Sequence, residues 1–361
     1  IDTPLELPDE IWVKAVSWLS IFDAPQFAAV SQKFEEYAVN IPNPFLPPKQ
    51  GIQIREGVAS HITRSAIRMI AVIDDSRFLE SVRLYDRQSR DPIKEYEGHS
   101  SHCIIGLREM RLKGKSHCIA VLKDRKSFVS GDGDRTVRWW KLPSNDANDP
   151  KGTPLKILRG HKGWVLSLCV VNNDIVASSS SDKTVRVWSL SSGKEIQCLL
   201  HEQIVNSVAA IDNKRLLTGD TEGVLRLWHI SSATIVRVLE GHTDAVRSIA
   251  MIDGRKFASA SNDKTIRVWN YETGSCLRVL RGHTGLVGCI AVLRKNVLAS
   301  SGSEDETVRL WNISTGDCIS SLKQQNSVWA LGALDDSTII AGGGDWYGAK
   351  QNYLNVLHIS L

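Results

Sequence analysis

Five short β-type runs in this chain end on the same aromatic residue. They read TVRWW to Trp140, TVRVW to Trp188, VLRLW to Trp228, TIRVW to Trp269 and TVRLW to Trp311, and the last three intervals are 40, 41 and 42 residues. A unit of about 40 residues cannot bury an apolar face alone and must stack on its neighbours, so this period predicts a circular array of four-stranded blades. Ring closure removes open sheet edges, which would otherwise template aggregation. Such an array favours a binding platform over an enzyme.

Other residues recur in register with the tryptophans. Gly160-His161, Gly241-His242 and Gly282-His283 open three units, with Leu200-His201 as a variant. An acid stands six residues before each tryptophan: Asp134, Asp182, Glu222, Asp263 and Asp305. A hydroxyl residue stands four before each acid: Ser130, Ser178, Thr218, Ser259 and Ser301. Fixed spacing has a physical reason, since buried polar groups must find partners. The acid orients the histidine, the histidine meets the hydroxyl, and the hydroxyl accepts from the indole N–H. The expected sets are His161, Ser178, Asp182 and Trp188; His242, Ser259, Asp263 and Trp269; and His283, Ser301, Asp305 and Trp311. This pattern resembles the structural tetrad of the WD-repeat family. A hydrolase triad is the competing reading of His, Ser and Asp, but a catalytic set occurs once per site and this one recurs in every regular unit.

The resemblance implies an all-β, seven-bladed WD-repeat β-propeller over residues 51–361. Two early units are irregular. Asp134 follows His99 by 35 residues instead of 21, which predicts an insertion within about 104–116. An earlier unit starts at Ala66-Ile67-Arg68 and carries Val82-Arg83-Leu84-Tyr85 in place of a tryptophan run. The seventh starts at Ser327-Val328-Trp329, ends on Asn355-Val356-Leu357, and has a longer turn around 345–352. It lacks a fourth strand of its own, and residues 51–56 are expected to supply one.

The first 40 residues read as helices. Leu7-Pro8-Asp9-Glu10-Ile11 opens an apolar pattern continued by Val13, Val16 and Leu19, Asp23 caps a second helix, and Ser31-Gln32-Lys33-Phe34 leads a third. A segment this short rarely folds well alone, and a partner surface is its natural cover. The pattern resembles the F-box over about Pro4–Val39, on Leu7, Pro8, Glu10, Ile11, Val16, Ser17, Leu19, Asp23, Val30, Ser31 and Phe34. That resemblance implies a small all-α F-box segment docking on a Skp-type adaptor protein of a cullin complex through Leu7, Pro8, Ile11, Val16, Leu19, Phe27, Val30 and Phe34. A helical cap on the ring is the alternative. Residues 41–50 hold four of the 11 prolines and are expected to be an extended linker.

Composition narrows the remaining choices. The formal charge is +4, which does not argue for nucleic acid, and no apolar run reaches the roughly 18 residues of a membrane span. Seven scattered cysteines without paired spacing fit a reducing compartment, cytoplasmic or nuclear. No P-loop or dinucleotide fingerprint is present, and no cofactor is expected. His102-Cys103 and His117-Cys118 suggest a metal site only weakly, because adjacent strand residues point to opposite faces, so no metal is expected. The basic stretch Arg108, Arg111, Lys113, Lys115, Lys123, Arg125 and Lys126 reads as a solvated loop.

A ligand is expected on the face where the b–c and d–a connections emerge. Residues five after each histidine should stand at the channel mouth: Leu166, Asn206, Arg247 and Gly288, with Arg68 and Trp329 by alignment. Arg135, Lys183, Lys264 and Glu306 follow the turn acids. In F-box/WD-repeat receptors, which the chain resembles, arginines on this face grip phosphorylated client segments, and here Arg68 and Arg247 occupy such places with Trp329 as an apolar wall. Guanidinium suits phosphate through bidentate, charge-assisted hydrogen bonds. The expected client-binding face is Arg68, Arg135, Leu166, Lys183, Asn206, Arg247, Lys264, Gly288 and Trp329, for a client phosphorylated or not. The functional expectation is a non-catalytic substrate-recognition subunit of a Skp–cullin–F-box ubiquitin ligase, the alternative a WD-repeat scaffold unconnected to ubiquitin.

Overall fold

The computed structural model describes residues 118–142 and 153–344 continuously except for 295, isolated strands between 53 and 113, and residues 352–360. The expected helical segment, the expected linker, all the expected adaptor-docking residues and Arg68 therefore lie outside the described residues, as do His99 and His117. The chain divides into two units, 1–50 and 51–361. Among the described residues every element is a strand.

Among the described residues seven antiparallel sheets form the blades of the ring, and an eighth is a two-stranded hairpin. In a regular blade the strands run in order from the innermost, a, to the outermost, d. The third blade, for example, comprises Val165–Val170, Ile175–Ser180, Thr184–Ser189 and Lys194–Leu200. The a strands of the seven blades are Ile70–Val72, Cys118–Val121, Val165–Val170, Val205–Ala210, Val246–Met251, Val287–Arg294 and Val328–Asp335. Each touches the next, and Val328–Asp335 touches Ile70–Val72, so the ring is closed. At that junction Gly332 is required by close approach: a Cβ there would stand 2.9 Å from the Ile70 side chain.

The last blade is completed from the start of the ring. Gln53–Glu56 pairs antiparallel with Asn352–Ser360, placing Gln53 opposite Ser360 and Glu56 opposite Leu357. A second segment, His61–Thr63, pairs with the beginning of the same strand, an addition the sequence reading did not assign.

The second blade departs from expectation. Ser100–Ile105 and Arg108–Lys113 form a separate two-stranded hairpin before the a strand Cys118–Val121. Arg108, Arg111 and Lys113 therefore lie on a strand and not in the expected solvated loop, because the insertion satisfies its backbone by pairing with itself. In the first blade, Glu80 pairs with Arg83, which leaves two residues to connect strands b and c.

The core lies in the seams between blades. Trp188 of the third blade packs with Cys118, Val129, Val137 and Leu158 of the second, and Trp311 of the sixth packs with Ala258, Ile266 and Leu280 of the fifth. Trp140, Trp188, Trp269 and Trp311 are all fully buried. Burying one indole removes roughly 150–250 Å² from water, about 4–6 kcal/mol as an upper estimate. The period in tryptophan is thus a period in inter-blade packing.

Candidate functional site

The repeated polar frame of the blades is a chain of hydrogen bonds. In the third blade His161 Nδ1 lies 2.9 Å from Asp182 Oδ2 and its Nε2 lies 2.7 Å from Ser178 Oγ, while Trp188 Nε1 donates to Ser178 Oγ at 2.8 Å. The fifth blade repeats this with His242–Asp263 at 2.7 Å, His242–Ser259 at 2.7 Å and Trp269–Ser259 at 2.8 Å. A histidine protonated on Nδ1 satisfies every member: it donates to the carboxylate, and the serine donates to Nε2 while accepting from the indole. Burial alone would push the three carboxyls up. The hydrogen bonds that Asp182, Asp263 and Asp305 accept from histidine and threonine outweigh it and hold all three well below the usual carboxylate range.

In the sixth blade the hydroxyl is Ser300, not the expected Ser301. Ser300 Oγ lies 2.6 Å from His283 Nε2 and accepts from Trp311 Nε1 at 2.7 Å, with Asp305 Oδ2 at 2.7 Å from His283 Nδ1. The extra residue of this unit sits in the b–c turn, so counting back from the acid lands one residue late. Neighbouring strand residues face opposite ways, and Ser301 instead accepts from the Cys289 N–H at 3.0 Å.

Two of the described blades modify the frame, and in the second blade the histidine lies outside the described residues. In the fourth, His201 Nε2 meets Thr218 Oγ1 at 3.0 Å, but its Nδ1 lies 3.3 Å from the Leu199 carbonyl and not beside an acid. The expected acid Glu222 is exposed; buried Asp220, two residues earlier, takes the turn amides and pairs with Arg226. Burial pushes His201 down to about 4. In the second, Trp140 donates to Ser130 at 2.7 Å, and Asp134 accepts from Thr136 and from Arg138 at 3.0 Å. In the seventh, register places Ala341 and Leu357 where the sixth has Ser300 and Trp311, so hydroxyl and indole are exchanged together for apolar groups.

Above this frame, one irregularity recurs at the start of five successive a strands. Val165 pairs with Ser180 and Ser167 with Ser179, leaving Leu166 as the extra residue of a β-bulge. Asn206, Arg247, Gly288 and Trp329 are the extra residues of the same bulge in the next four blades. A bulge bends its strand and re-aims the unpaired residue. The structure therefore brings these five candidate residues to one level of the ring. Arg247 donates to Asn262 Oδ1 at 2.8 Å, and Trp329 donates to the Gly344 carbonyl at 3.0 Å. The Asn206 side-chain amide nitrogen is buried with no hydrogen-bond partner among the described residues.

The residues after the turn acids share another feature. Arg135, Lys183, Lys264 and Glu306 have φ of 66°, 67°, 67° and 55°, the left-handed region. Arg135, Lys183 and Lys264 are exposed, with Lys183 Nζ donating to the Glu202 carbonyl at 2.8 Å, while Glu306 is half-buried and pairs with Lys323 at 3.7 Å. Beside Arg135, a pocket of about 390 Å³ is lined by Gly133, Asp134, Arg135, Thr136, Arg138, Arg159 and Trp164. Sequence reasoning missed Arg138, Arg159 and Trp164 here. The available signal was the aromatic three residues after His161, where the other units carry Ile204, Ala245 and Leu286.

Among the described residues no cluster of His, Cys, Asp or Glu is arranged to hold a metal ion, and no helix is long and apolar enough to cross a membrane. Desolvation pushes up the thiols of buried Cys118 and half-buried Cys169, Cys169 to about 12.

Comparison with known proteins agrees with this geometry. The profile of the WD domain, G-beta repeat, matches residues 90–141, 152–189, 233–270 and 274–312. The chain is 28% identical to Mitochondrial division protein 1 of Candida glabrata over 45% of this chain and 25% of that protein. It is 34% identical to Coronin-like protein of Saccharomyces cerevisiae over 33% of this chain and 20% of that protein. The chain thus spans about a quarter or less of these relatives' length. The solved WD40 beta propeller domain of Doa1 superposes with a TM-score of 0.68 at 23% identity, covering 84% of this chain and 96% of that one, which establishes the fold.

Proposed function

From a chain built of WD40 repeats on a β-propeller, we propose a protein-interaction platform that serves as the client-recognition subunit of a Skp–cullin–F-box type ubiquitin ligase. The observation that carries the platform reading is the row of bulged residues. The frame repeats from blade to blade, yet the residue it aims outward changes from Leu166 to Asn206, Arg247, Gly288 and Trp329. A constant scaffold with a varied, partly polar surface suits recognition of one shaped partner.

The ligase assignment rests on the Leu7–Phe34 pattern and on its position before the ring. The helical segment would bind the adaptor while the ring holds the client, raising the effective concentration of client lysines near a ubiquitin-charged enzyme, with no bond made or broken by this chain. The test is capture of a purified Skp-type adaptor by the full chain. Binding that Leu7→Ala with Pro8→Ala abolishes, while the ring keeps its thermal transition, supports the assignment. A chain that never binds the adaptor leaves the platform standing as a scaffold unconnected to ubiquitin.

A further inference from the structure

We propose that Cys276 and Cys318, on the outer strands of the fifth and sixth blades, are peroxide-sensitive modification sites, where each thiol is oxidised to a sulfinate that the neighbouring arginine holds. The proposal goes beyond the platform reading and does not depend on it, because both sulfurs lie on strand d and not on the a strands that present the bulged residues.

An arginine stands two residues before each strand-c tryptophan: Arg138, Arg186, Arg226, Arg267 and Arg309. In three blades it ends on a carboxylate. Arg138 pairs with Asp134 at 3.0 Å, Arg186 with Glu195, and Arg226 with Asp220. In the fifth and sixth blades a sulfur takes that place. Arg267 Nη1 lies 3.8 Å from Cys276 Sγ, and Arg309 Nη1 lies 3.9 Å from Cys318 Sγ. Among the described residues neither arginine has a carboxylate within ion-pair distance.

Strand register makes the blades directly comparable. Glu195 stands opposite Trp188, Cys276 opposite Trp269 and Cys318 opposite Trp311, each followed by the extra residue of a strand-d bulge. The two thiols therefore occupy the place of the Glu195 carboxylate. The fourth blade has Ile235 there, and its arginine turns to Asp220 instead. The guanidinium is held in position by its surroundings. The Arg267 head lies 5.9 Å from the centre of the Trp269 ring, and a Cβ on Gly241 would stand 2.8 Å from its Nη1. A Cβ on Gly282 would stand 3.1 Å from Arg309 Nη1. Arg267 Nε is buried with no hydrogen-bond partner among the described residues.

Both thiols are exposed. Each donates to the carbonyl two residues on, Cys276 to Arg278 at 3.3 Å and Cys318 to Ser320 at 3.5 Å, while the arginine donates to the sulfur. The deprotonated sulfur bonds to the terminal oxygen of a hydroperoxide, the O–O bond breaks, and the remaining alkoxide or hydroxide takes up a proton. Sulfur gives up two electrons and the peroxide gains them, leaving a sulfenic acid. A second equivalent of hydroperoxide repeats the step and leaves a sulfinate. That group is an anion with two oxygens, so it meets a guanidinium as a carboxylate does, through charge-assisted bidentate hydrogen bonds. Oxidation thus gives the fifth and sixth blades the ion pair that the third already has. Cys198 is the internal contrast. It stands opposite Arg186, but Glu195 holds that arginine, and burial pushes the Cys198 thiol up.

The experiment exposes the full chain to hydrogen peroxide, stops the reaction at intervals and measures sulfinate at each cysteine by peptide mass spectrometry. Cys276 and Cys318 are expected to gain two oxygens at least about tenfold faster than Cys198, the scale of one hydrogen bond to a charged group. Arg267→Gln with Arg309→Gln is expected to remove that advantage, with circular dichroism confirming the fold. Cys276→Glu with Cys318→Glu is expected to copy the third-blade pair and raise the melting temperature of the unoxidised chain by about 1–3 °C. Equal rates at the three cysteines, an advantage that survives in the folded arginine variant, or a glutamate variant that melts below the parent overturns the site and leaves the platform reading intact. If the arginine variant does not fold, the ranking in the parent chain and the glutamate variant decide.

Discussion

The third and fourth blades have the same strands, nearly the same length and the same indole–hydroxyl contact, yet they treat their histidines differently. His161 lies between Asp182 and Ser178, while His201 has Thr218 on one side and only a main-chain carbonyl on the other. Both blades nevertheless bury their tryptophans, Trp188 to 1% and Trp228 to 4% exposure. The hydroxyl–indole contact with its inter-blade packing is therefore what these two blades share, and the acid is an addition that orders the histidine and the turn. The seventh blade takes the contrast further: Ala341 and Leu357 replace the hydroxyl and the indole, and a different buried contact, Asn355 Nδ2 donating to Gln324 Oε1 at 3.0 Å, stands nearby.

The comparison is broken most forcefully at the indole. Trp188→Ala should cost about 3–5 kcal/mol in a denaturant titration, and Trp228→Ala a similar amount if packing rules both blades. A fourth-blade loss below about 1 kcal/mol would mean that the two tryptophans are not equivalent.

Acid should separate the blades in sequence. His201 is held down to about 4 by burial, against an ordinary 6.5, so the unfolded chain binds its proton first. Its contribution is present above pH 6.5 and is lost as pH falls through 4, about 3 kcal/mol in all. The third-, fifth- and sixth-blade aspartates are also depressed, so their contribution is present above pH 4 and is lost only below it. Stability measured from pH 7 to pH 3 should fall in the upper part of the range through His201, and His201→Gln should flatten that part alone.

The acid itself comes next. Asp182→Ala should cost about 1–3 kcal/mol, because it leaves the His161 donor and the turn amides without an acceptor. Glu222→Ala at the aligned position should stay within about 0.5 kcal/mol, since Glu222 is exposed and Asp220 does the turn's work. A denaturation midpoint that moves equally in both variants contradicts the reassignment of the acid.

These contrasts show where sequence reasoning reached and where it stopped. The repeating tryptophans made the ring legible because each marks a seam, and a seam needs a large apolar residue at a fixed strand position. Histidine-to-hydroxyl spacing was equally legible, yet Ser301 was chosen over Ser300 because an added turn residue shifts every count taken from the acid side. Asp220 was missed because a turn can be served by an acid at its start as well as at its end. The hairpin at 100–113 was not foreseen, since a basic run in an insertion has no partner until register supplies one. At the candidate face the five positions followed from alignment, but the bulge that aims them did not, and the arginine-lined pocket was invisible because cross-strand pairing assembles it.

A smaller effect sharpens the same picture at the turns. Lys264 is exposed with φ 67°, so Lys264→Gly should raise stability by up to about 1 kcal/mol by relieving left-handed strain, visible as a small upward shift of the melting temperature.

The separation of frame from face is tested most directly by one paired measurement on the full chain: partner capture and thermal transition for Asn206→Ala with Arg247→Ala and Trp329→Ala. Capture should fall at least about tenfold, the size expected when central contacts of an interface are removed, while the transition stays near that of the parent chain. Capture that survives this triple change, or that disappears only together with the folded ring, would contradict the assignment of these bulged residues as the partner-binding surface.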